Sequence, residues 1–149
     1  MDVTIIDTSG LGDRSYLVSQ DGVAAVIDPQ RDIDRVLALA ADHGVTITHV
    51  LETHIHNDYV TGGLELARLL DAQYVVAAGD EVSYDRRPVT DGDVVDVGPF
   101  RFQVLHTPGH THHHVSYVLQ DGSGTAVGVF SGGSMLHGTT GRTDLIGDE

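Results

Sequence analysis

The sequence of 149 residues contains no cysteine, and only 5% of its residues are aromatic. The absence of cysteine excludes disulfides, thiolate metal ligands and a cysteine nucleophile from this chain. Aliphatic side chains must therefore fill most of the core, and a hydrophobic fraction of 40% is enough to build one. The length is typical of a single domain, which we expect to cover residues 1–149.

Basic residues are also scarce, because 8 Lys and Arg stand against 22 Asp and Glu and the formal net charge is −14. Nucleic acids and anionic membrane surfaces both attract basic patches, so we expect neither as a partner. No apolar run approaches the roughly 20 residues of a membrane span. The N-terminus has no basic segment followed by an apolar one, as a signal peptide would. These absences predict a cytoplasmic protein.

Histidine, in contrast, is abundant and clustered. Seven of the ten histidines lie in residues 54–56 and 106–114, beside glycine and aspartate. Histidines that are grouped in this way on loops are typical of metal sites.

Hydrophobic patterning predicts mixed α/β layers rather than a regular βαβ ladder. Strands are predicted at residues 3–7, 16–19, 23–27, 47–51, 74–77, 94–97, 100–105, 115–119 and 126–130. A first helix begins after Asp32 as its N-cap and ends at Gly44. Its inward-facing positions are Ile33, Val36, Leu37 and Ala40. A second helix follows Gly62 and Gly63. We interpret these glycines as allowing close packing between the loop and the helix, rather than as an anion-binding site. The inward-facing positions of this helix are Leu64, Leu66, Ala67 and Leu70.

The first chemical motif is His-Ile-His-Asn-Asp at residues 54–58, directly after the strand at 47–51. Polar residues just past a buried strand are where α/β proteins usually build their sites. Alternating side chains on a tight loop let two imidazoles and one carboxylate converge, and Zn²⁺ and Fe²⁺ both accept neutral imidazole. The alternative is a polar loop with two chance histidines.

The second motif is Thr-Pro-Gly-His at residues 107–110, after the strand at 100–105. Proline and glycine make a sharp turn that would hold His110 at the sheet edge. For this motif alone, an ordinary turn with a surface histidine is the favoured interpretation. Together, and in this order, the two motifs predict a metal site.

Residues 53–59 (THIHNDY) and 107–111 (TPGHT) resemble the metallo-β-lactamase superfamily, which carries H-x-H-x-D-H and a later histidine, often within TPGHT. The resemblance extends to about residue 145. It implies an αββα sandwich in which two sheets pack face to face with helices outside. This chain would carry the N-terminal part, with the C-terminal half absent and the facing sheet incomplete. An apolar face left open in this way would favour a homodimer or a partner chain that completes the sandwich.

Within that superfamily, residues 52–56, 130–133 and 141–145 are similar to the branch of hydroxyacylglutathione hydrolases and persulfide dioxygenases. The resemblance implies a small thiol-derived substrate. That substrate would be glutathione persulfide, oxidised by O₂ at one iron, or a glutathione thioester, hydrolysed at zinc. The amino-acid sequences of the motifs resemble the persulfide dioxygenases more, which favours persulfide chemistry.

Two positions depart from the family pattern. Tyr59 stands where the family has a histidine for a second metal, and Gly133 stands where it has an aspartate ligand. The histidines that the resemblance retains are His54, His56 and His110, which would hold one divalent ion, iron or zinc. Asp58 is then the candidate catalytic residue, because it could orient or deprotonate the bound water.

Other histidines could replace the missing carboxylate ligand. The run at residues 112–114 is one source, although solvated histidines at a strand start are the favoured interpretation, and His137 is a weaker one. The losses at Tyr59 and Gly133 also leave open a non-catalytic module that keeps the fold. A β-lactamase itself is disfavoured, since that enzyme acts outside the cytoplasm.

Overall fold

The computed structural model describes residues 1–8, 13–56, 59–136 and 138–141. These residues form two helices, α1 (Ile33–His43) and α2 (Gly63–Leu70), and twelve strands. The strands are β1 (Asp2–Asp7), β2 (Arg14–Gln20), β3 (Val23–Ile27), β4 (Thr46–Leu51), β5 (Gln73–Ala77), β6 (Arg87–Val89), β7 (Val94–Val97), β8 (Phe100–His106), β9 (Val115–Gln120), β10 (Ala126–Phe130), β11 (Met135–Leu136) and β12 (Thr139–Thr140). All nine predicted strands are therefore present, each with ends within two residues of the prediction.

The strands form two main sheets. The first has the order β1-β2-β3-β4-β5-β6, antiparallel from β1 to β3 and parallel from β3 to β6. The second has the order β10-β9-β8-β7 and is antiparallel throughout. A tight turn joins β2 to β3, with φ of 52° at Asp21 and 80° at Gly22, as two-residue hairpins require.

Two apolar clusters hold the layers together. One lies between the sheets and includes the fully buried Val18, Val75 and Phe102. The other joins the first sheet to the helices. The rings of Tyr16 and Phe130 are 4.9 Å apart and connect β2 to β10 across the sandwich. The described residues thus form helix, sheet and sheet layers, and none of the described helices covers the outer face of the second sheet.

The helices differ from prediction in two details. Asp32 makes no side-chain capping bond, because its ψ of 71° departs from the extended backbone of an N-cap. The prediction that Leu70 faces inward is wrong, since it is 36% exposed where α2 ends and Asp71 turns the chain. Leu66, which was also predicted to face inward, is fully buried. Gly44 ends α1 as predicted, with a left-handed φ of 64°.

Three short strands were not predicted. β6 contains Pro88 and pairs with β5 at the edge of the first sheet, where a residue without an N–H is tolerated. β11 and β12 form a small hairpin in the glycine-rich tail. Runs of two or three residues are too short to show periodicity, which is why patterning misses them.

Candidate metal centre

The two predicted histidine motifs meet where the sheets pack against each other. Residues 52–56 follow β4, and residues 107–114 connect β8 to β9. The Val115 N–H donates to the Thr53 carbonyl at 2.8 Å, and the Tyr117 hydroxyl donates to the Glu52 carbonyl at 2.8 Å. Strand β9 of the second sheet is thus bonded directly to the loop that carries His54.

Asp28 anchors this loop from the end of β3. Its carboxylate accepts the Thr53 N–H through Oδ1 and the Thr53 hydroxyl through Oδ2, each at 2.7 Å. The backbone at Asp28 has a left-handed φ of 49°, which costs roughly 1–2 kcal/mol for a residue with a side chain. Its N–H donates to Leu51 at 2.9 Å, and its carbonyl accepts the Ser15 hydroxyl at 2.6 Å. These bonds hold the strained residue in place.

The hydroxyl of Thr53 lies 2.9 Å from Nδ1 of His54. This hydroxyl has one proton, which it donates to Asp28, so it accepts its second hydrogen bond from the Nδ1–H of His54. The Nε2 nitrogen of His54 then carries the lone pair through which the ring would bind a metal. A chain from carboxylate to hydroxyl to imidazole is how proteins orient metal-binding histidines.

His56 is held through its Nε2 nitrogen. This atom lies 3.1 Å from Oε2 of Glu52, 3.3 Å from Oδ1 of Asp28 and 3.1 Å from the Tyr59 hydroxyl. The Tyr59 hydroxyl also donates to the backbone carbonyl of Asp28 at 3.1 Å. Tyr59 therefore supports His56 and the strained backbone of Asp28.

His110 lies against Gly133. A β-carbon at position 133 would be 2.3 Å from Cδ2 and 2.5 Å from Nε2 of His110, closer than atoms can approach. The His110 ring thus fills the space in which a side chain at position 133 would begin. Glycine at this position leaves the site without a carboxylate from the turn that follows β10, and it makes room for the imidazole.

His114 is the buried member of the run at residues 112–114, in which His112 and His113 are exposed. Its Nδ1 is 2.9 Å from the Thr107 hydroxyl. Its ring lies 5.1 Å from that of His54 and 6.2 Å from that of His110, measured between centres. The structure therefore singles out His114 as the neighbour of the predicted ligands.

Burial sets the protonation of the site. Burial, together with the nearby His56, lowers the pKa of His54 to about 3, so His54 is neutral at physiological pH. Burial likewise lowers the pKa of His114 to about 4, with Asp28 acting against the shift. Burial raises the pKa of Glu52. Burial alone would also raise that of Asp28, but its hydrogen bond with His56 brings the pKa below the usual value.

Sequence reasoning missed the importance of two carboxylates. Asp28 directly follows the predicted strand at residues 23–27, and Glu52 is the first residue of the motif at residues 52–56. Both sit at the carboxyl ends of neighbouring parallel strands, β3 and β4, which is the signal that could have found them. Two other predicted residues, Asp58 and His137, lie outside the described residues.

The close packing predicted at residues 62–63 is confirmed. A β-carbon at Gly62 would lie 2.4 Å from the carbonyl oxygen of Gln30, and one at Gly63 would lie 2.0 Å from Oε1 of Glu52. The two glycines are therefore needed to bring the start of α2 against the loop of the site.

The described residues fit a bound divalent ion. Two imidazoles on one tetrahedral metal have ring centres roughly 5 Å apart, given a metal–nitrogen distance of about 2 Å. The ring of His54 is 4.0 Å from that of His56 and 4.8 Å from that of His110, within about 1 Å of this requirement. Within the part of the chain that the structure describes, the group of ligand-type atoms that all lie within 4.8 Å of one another belongs to Asp28, Glu52 and His56. Carboxylates at this distance suit a cation nearby.

Comparison with known proteins identifies the family. The sequence profile of the metallo-beta-lactamase superfamily matches residues 8–132. This chain belongs to the metallo-beta-lactamase superfamily. The resemblance inferred from residues 53–59 and 107–111 is confirmed, and so is the fold class.

Several individual members of the superfamily are similar to this chain in sequence and in structure. A hydroxyacylglutathione hydrolase of Rhodospirillum rubrum is 36% identical over 127 residues, which make up 81% of this chain and 49% of that protein. A metallo-beta-lactamase from Staphylococcus aureus subsp. aureus COL superposes with a TM-score of 0.90 at 35% identity, over 97% of this chain and 47% of that one. ETHE1 from Myxococcus xanthus superposes with a TM-score of 0.85 at 34% identity, over 97% of this chain and 62% of that one.

The chain spans about half the length of the curated relatives that it matches. Among its described residues, no helix is long and apolar enough to cross a membrane.

Proposed function

We propose that this chain carries a mononuclear metal centre, held by His54, His56 and His110, that acts on a glutathione-type thiol derivative in the manner of a persulfide dioxygenase. The bound ion would be one iron or zinc. Residues 1–149 would act as one metallo-β-lactamase-like domain in the cytoplasm.

The observation that carries this proposal is the anchoring of two imidazoles from behind. Thr53 and Asp28 orient His54, while Glu52 and Asp28 hold Nε2 of His56. Both rings are thereby directed by carboxylates, as ligands of a metal are. The involvement of Tyr59 with His56 and the Asp28 carbonyl supports a centre with one metal rather than two.

A divalent ion at this centre would act as a Lewis acid toward the sulfur or carbonyl group of a bound substrate. The residues of the chain would do the rest. The neutral ring of His54 would bind the ion without releasing a proton, because burial keeps the pKa of that ring low. Asp58 remains our candidate for the base that takes a proton from water or substrate.

A zinc-dependent hydrolase of glutathione thioesters is the second candidate. The 36% identity to a hydroxyacylglutathione hydrolase favours it. The tyrosine at position 59 argues against it, since a phenol hydrogen-bonded to His56 replaces a second-metal ligand. A non-catalytic module is the third outcome that experiments must distinguish.

The first test of the proposed metal centre is the metal content of the protein. Protein purified without a histidine tag should contain about one iron or zinc per chain by plasma mass spectrometry, and a His54→Ala/His110→Ala variant should contain almost none. A folded wild-type protein that takes up no metal would contradict the proposal and favour the non-catalytic module.

Activity assays then test the class of substrate. The iron-loaded protein should consume O₂ and form sulfite with glutathione persulfide, and Asp58→Asn should slow this turnover by about 100-fold or more. Hydrolysis of a hydroxyacylglutathione by the zinc-loaded protein, without persulfide oxidation, would instead establish the second candidate.

A further inference from the structure

Glu52 is a buried carboxylate that touches three different parts of the fold. Its side chain is 1% exposed and lies directly after β4. Oε1 accepts hydrogen bonds from the Thr61 hydroxyl and, at 3.0 Å, from the Tyr74 hydroxyl. Oε2 lies 3.1 Å from Nε2 of His56. Two neutral hydroxyls therefore fix one carboxylate oxygen, and the other faces the imidazole.

The start of α2 is built around this carboxylate. A β-carbon on Gly63 would lie 2.0 Å from Oε1 of Glu52, so any larger residue would displace one of them. The Thr61 hydroxyl that donates to Glu52 also accepts the Gly63 N–H at 2.9 Å. The helix thus begins with a glycine where the glutamate needs room.

Stability gives little reason to bury an acid here. Removing a carboxylate from water costs several kcal/mol before any partner repays it. A second carboxylate, that of Asp28, already lies 3.3 Å from the same nitrogen of His56. Two acids at one imidazole nitrogen are costly for folding, and they indicate a role toward what the other nitrogen of the ring binds.

We propose that Glu52 is a positioning residue for the metal centre: with Asp28 it holds Nε2–H of His56, so that Nδ1 is presented to the metal. This inference rests on the proposed function, because it assumes that His56 is a ligand. The negative charge at Nε2 makes the imidazole a stronger electron donor at Nδ1.

The test replaces the acid by its neutral isostere. Glu52→Gln keeps the shape but has one acceptor oxygen for the three donors, so His56 or the hydroxyl pair loses its partner. We expect Zn²⁺ affinity to fall by about 10- to 100-fold, the usual effect of losing such a carboxylate. Thermal unfolding of the metal-free protein should not occur at a lower temperature. Glu65→Gln, on the exposed face of α2, is the matched control and should change neither quantity.

A spectroscopic measurement on the unaltered protein gives independent evidence. Long-range ¹⁵N–¹H correlation spectra of the zinc-loaded wild-type protein should show the ring proton of His56 on Nε2. This readout stands even if Glu52→Gln fails to fold.

The outcomes separate the two proposals. A wild-type protein that binds neither zinc nor iron would overturn the proposed function together with this inference. Zinc binding that Glu52→Gln leaves unchanged would overturn the inference alone, as would a ring proton of His56 found on Nδ1.

Discussion

The hydroxyl of Thr53 has a single proton, and its use decides which nitrogen of His54 faces the metal. The proton goes to Asp28, whose carboxylate can only accept. Nδ1 of His54 therefore donates, and Nε2 keeps its lone pair.

Thr53→Val removes the hydroxyl, and with it the hydrogen bonds to Asp28 and His54, with little change in side-chain volume. It leaves Asp28 without one of its donors, so we expect the metal-free protein to lose about 1–3 kcal/mol of stability. Zinc affinity should fall by about tenfold because the tautomer of His54 is no longer set. Denaturant unfolding and a zinc titration measure the two effects. Thr46→Val, at an exposed position of β4, should alter neither.

Gly133 can be tested in the same way. A methyl group there would overlap the ring of His110, so Gly133→Ala should displace that ring and weaken zinc binding by about tenfold or more. Gly128→Ala is the control, because its β-carbon would meet nothing within 4 Å. Equal zinc affinity in the two variants would show that His110 is not held against position 133.

His114 predicts how stability depends on pH in the metal-free protein. Its pKa is about 4 when folded and about 6.5 when unfolded. The unfolded chain therefore binds more protons between these values, and stability is lost as the pH falls from 6.5 to 4. The contribution is on the order of 1–3 kcal/mol, and His54 adds in the same direction. His114→Asn, which keeps a group near Thr107, should flatten this part of the profile in urea titrations at several pH values.

At the scale of the element, α2 connects the core to the site. It packs Leu66 and Ala67 against the first sheet, and its first residue, Gly63, faces Glu52. The position of the helix therefore controls the support of His56.

Leu66→Ala should destabilise the protein by about 2–5 kcal/mol, since the side chain is fully buried and leaves a cavity. Leu69→Ala in the same helix should cost well under 1 kcal/mol, because Leu69 is 61% exposed. Guanidinium unfolding compares the two. Similar losses would mean that α2 does not pack as described.

At the scale of the whole molecule, the outer face of the second sheet is the unusual surface. Val94, Leu105 and Val129 are 38%, 37% and 50% exposed there, and β10 forms the edge of the sheet. Exposed apolar side chains in a sheet whose edge strand has no outer partner among the described residues favour association.

We therefore predict reversible self-association that Val129→Asp weakens by about tenfold or more, because a charge would be buried at the contact. Sedimentation equilibrium over a range of concentrations measures it. Asp42→Asn, at an exposed position of α1, should leave the association unchanged. A wild-type protein that is monomeric at every concentration would contradict the prediction.

Much of the fold could be predicted because it depends on local patterns. Alternating and continuous apolar runs identified nine strands, and Gly44 marked the end of α1, since periodicity and backbone conformation are properties of short segments. The weak point was at element ends. Leu70 fits the helical period, yet the helix ends there, and no local signal shows where the sheet beneath it stops.

In the candidate site, too, local motifs could be predicted from the sequence, and long-range contacts could not. The motifs at residues 53–59 and 107–111 identified the superfamily from sequence alone, because ligand-type residues at close spacing must share a loop. The roles of Asp28 and Glu52 required the tertiary structure, since they depend on parallel pairing of β3 with β4, and pairing joins residues that are far apart in the chain. The same holds for Gly133, which the sequence shows as a missing ligand. Only the folded chain reveals that the ring of His110 occupies its place.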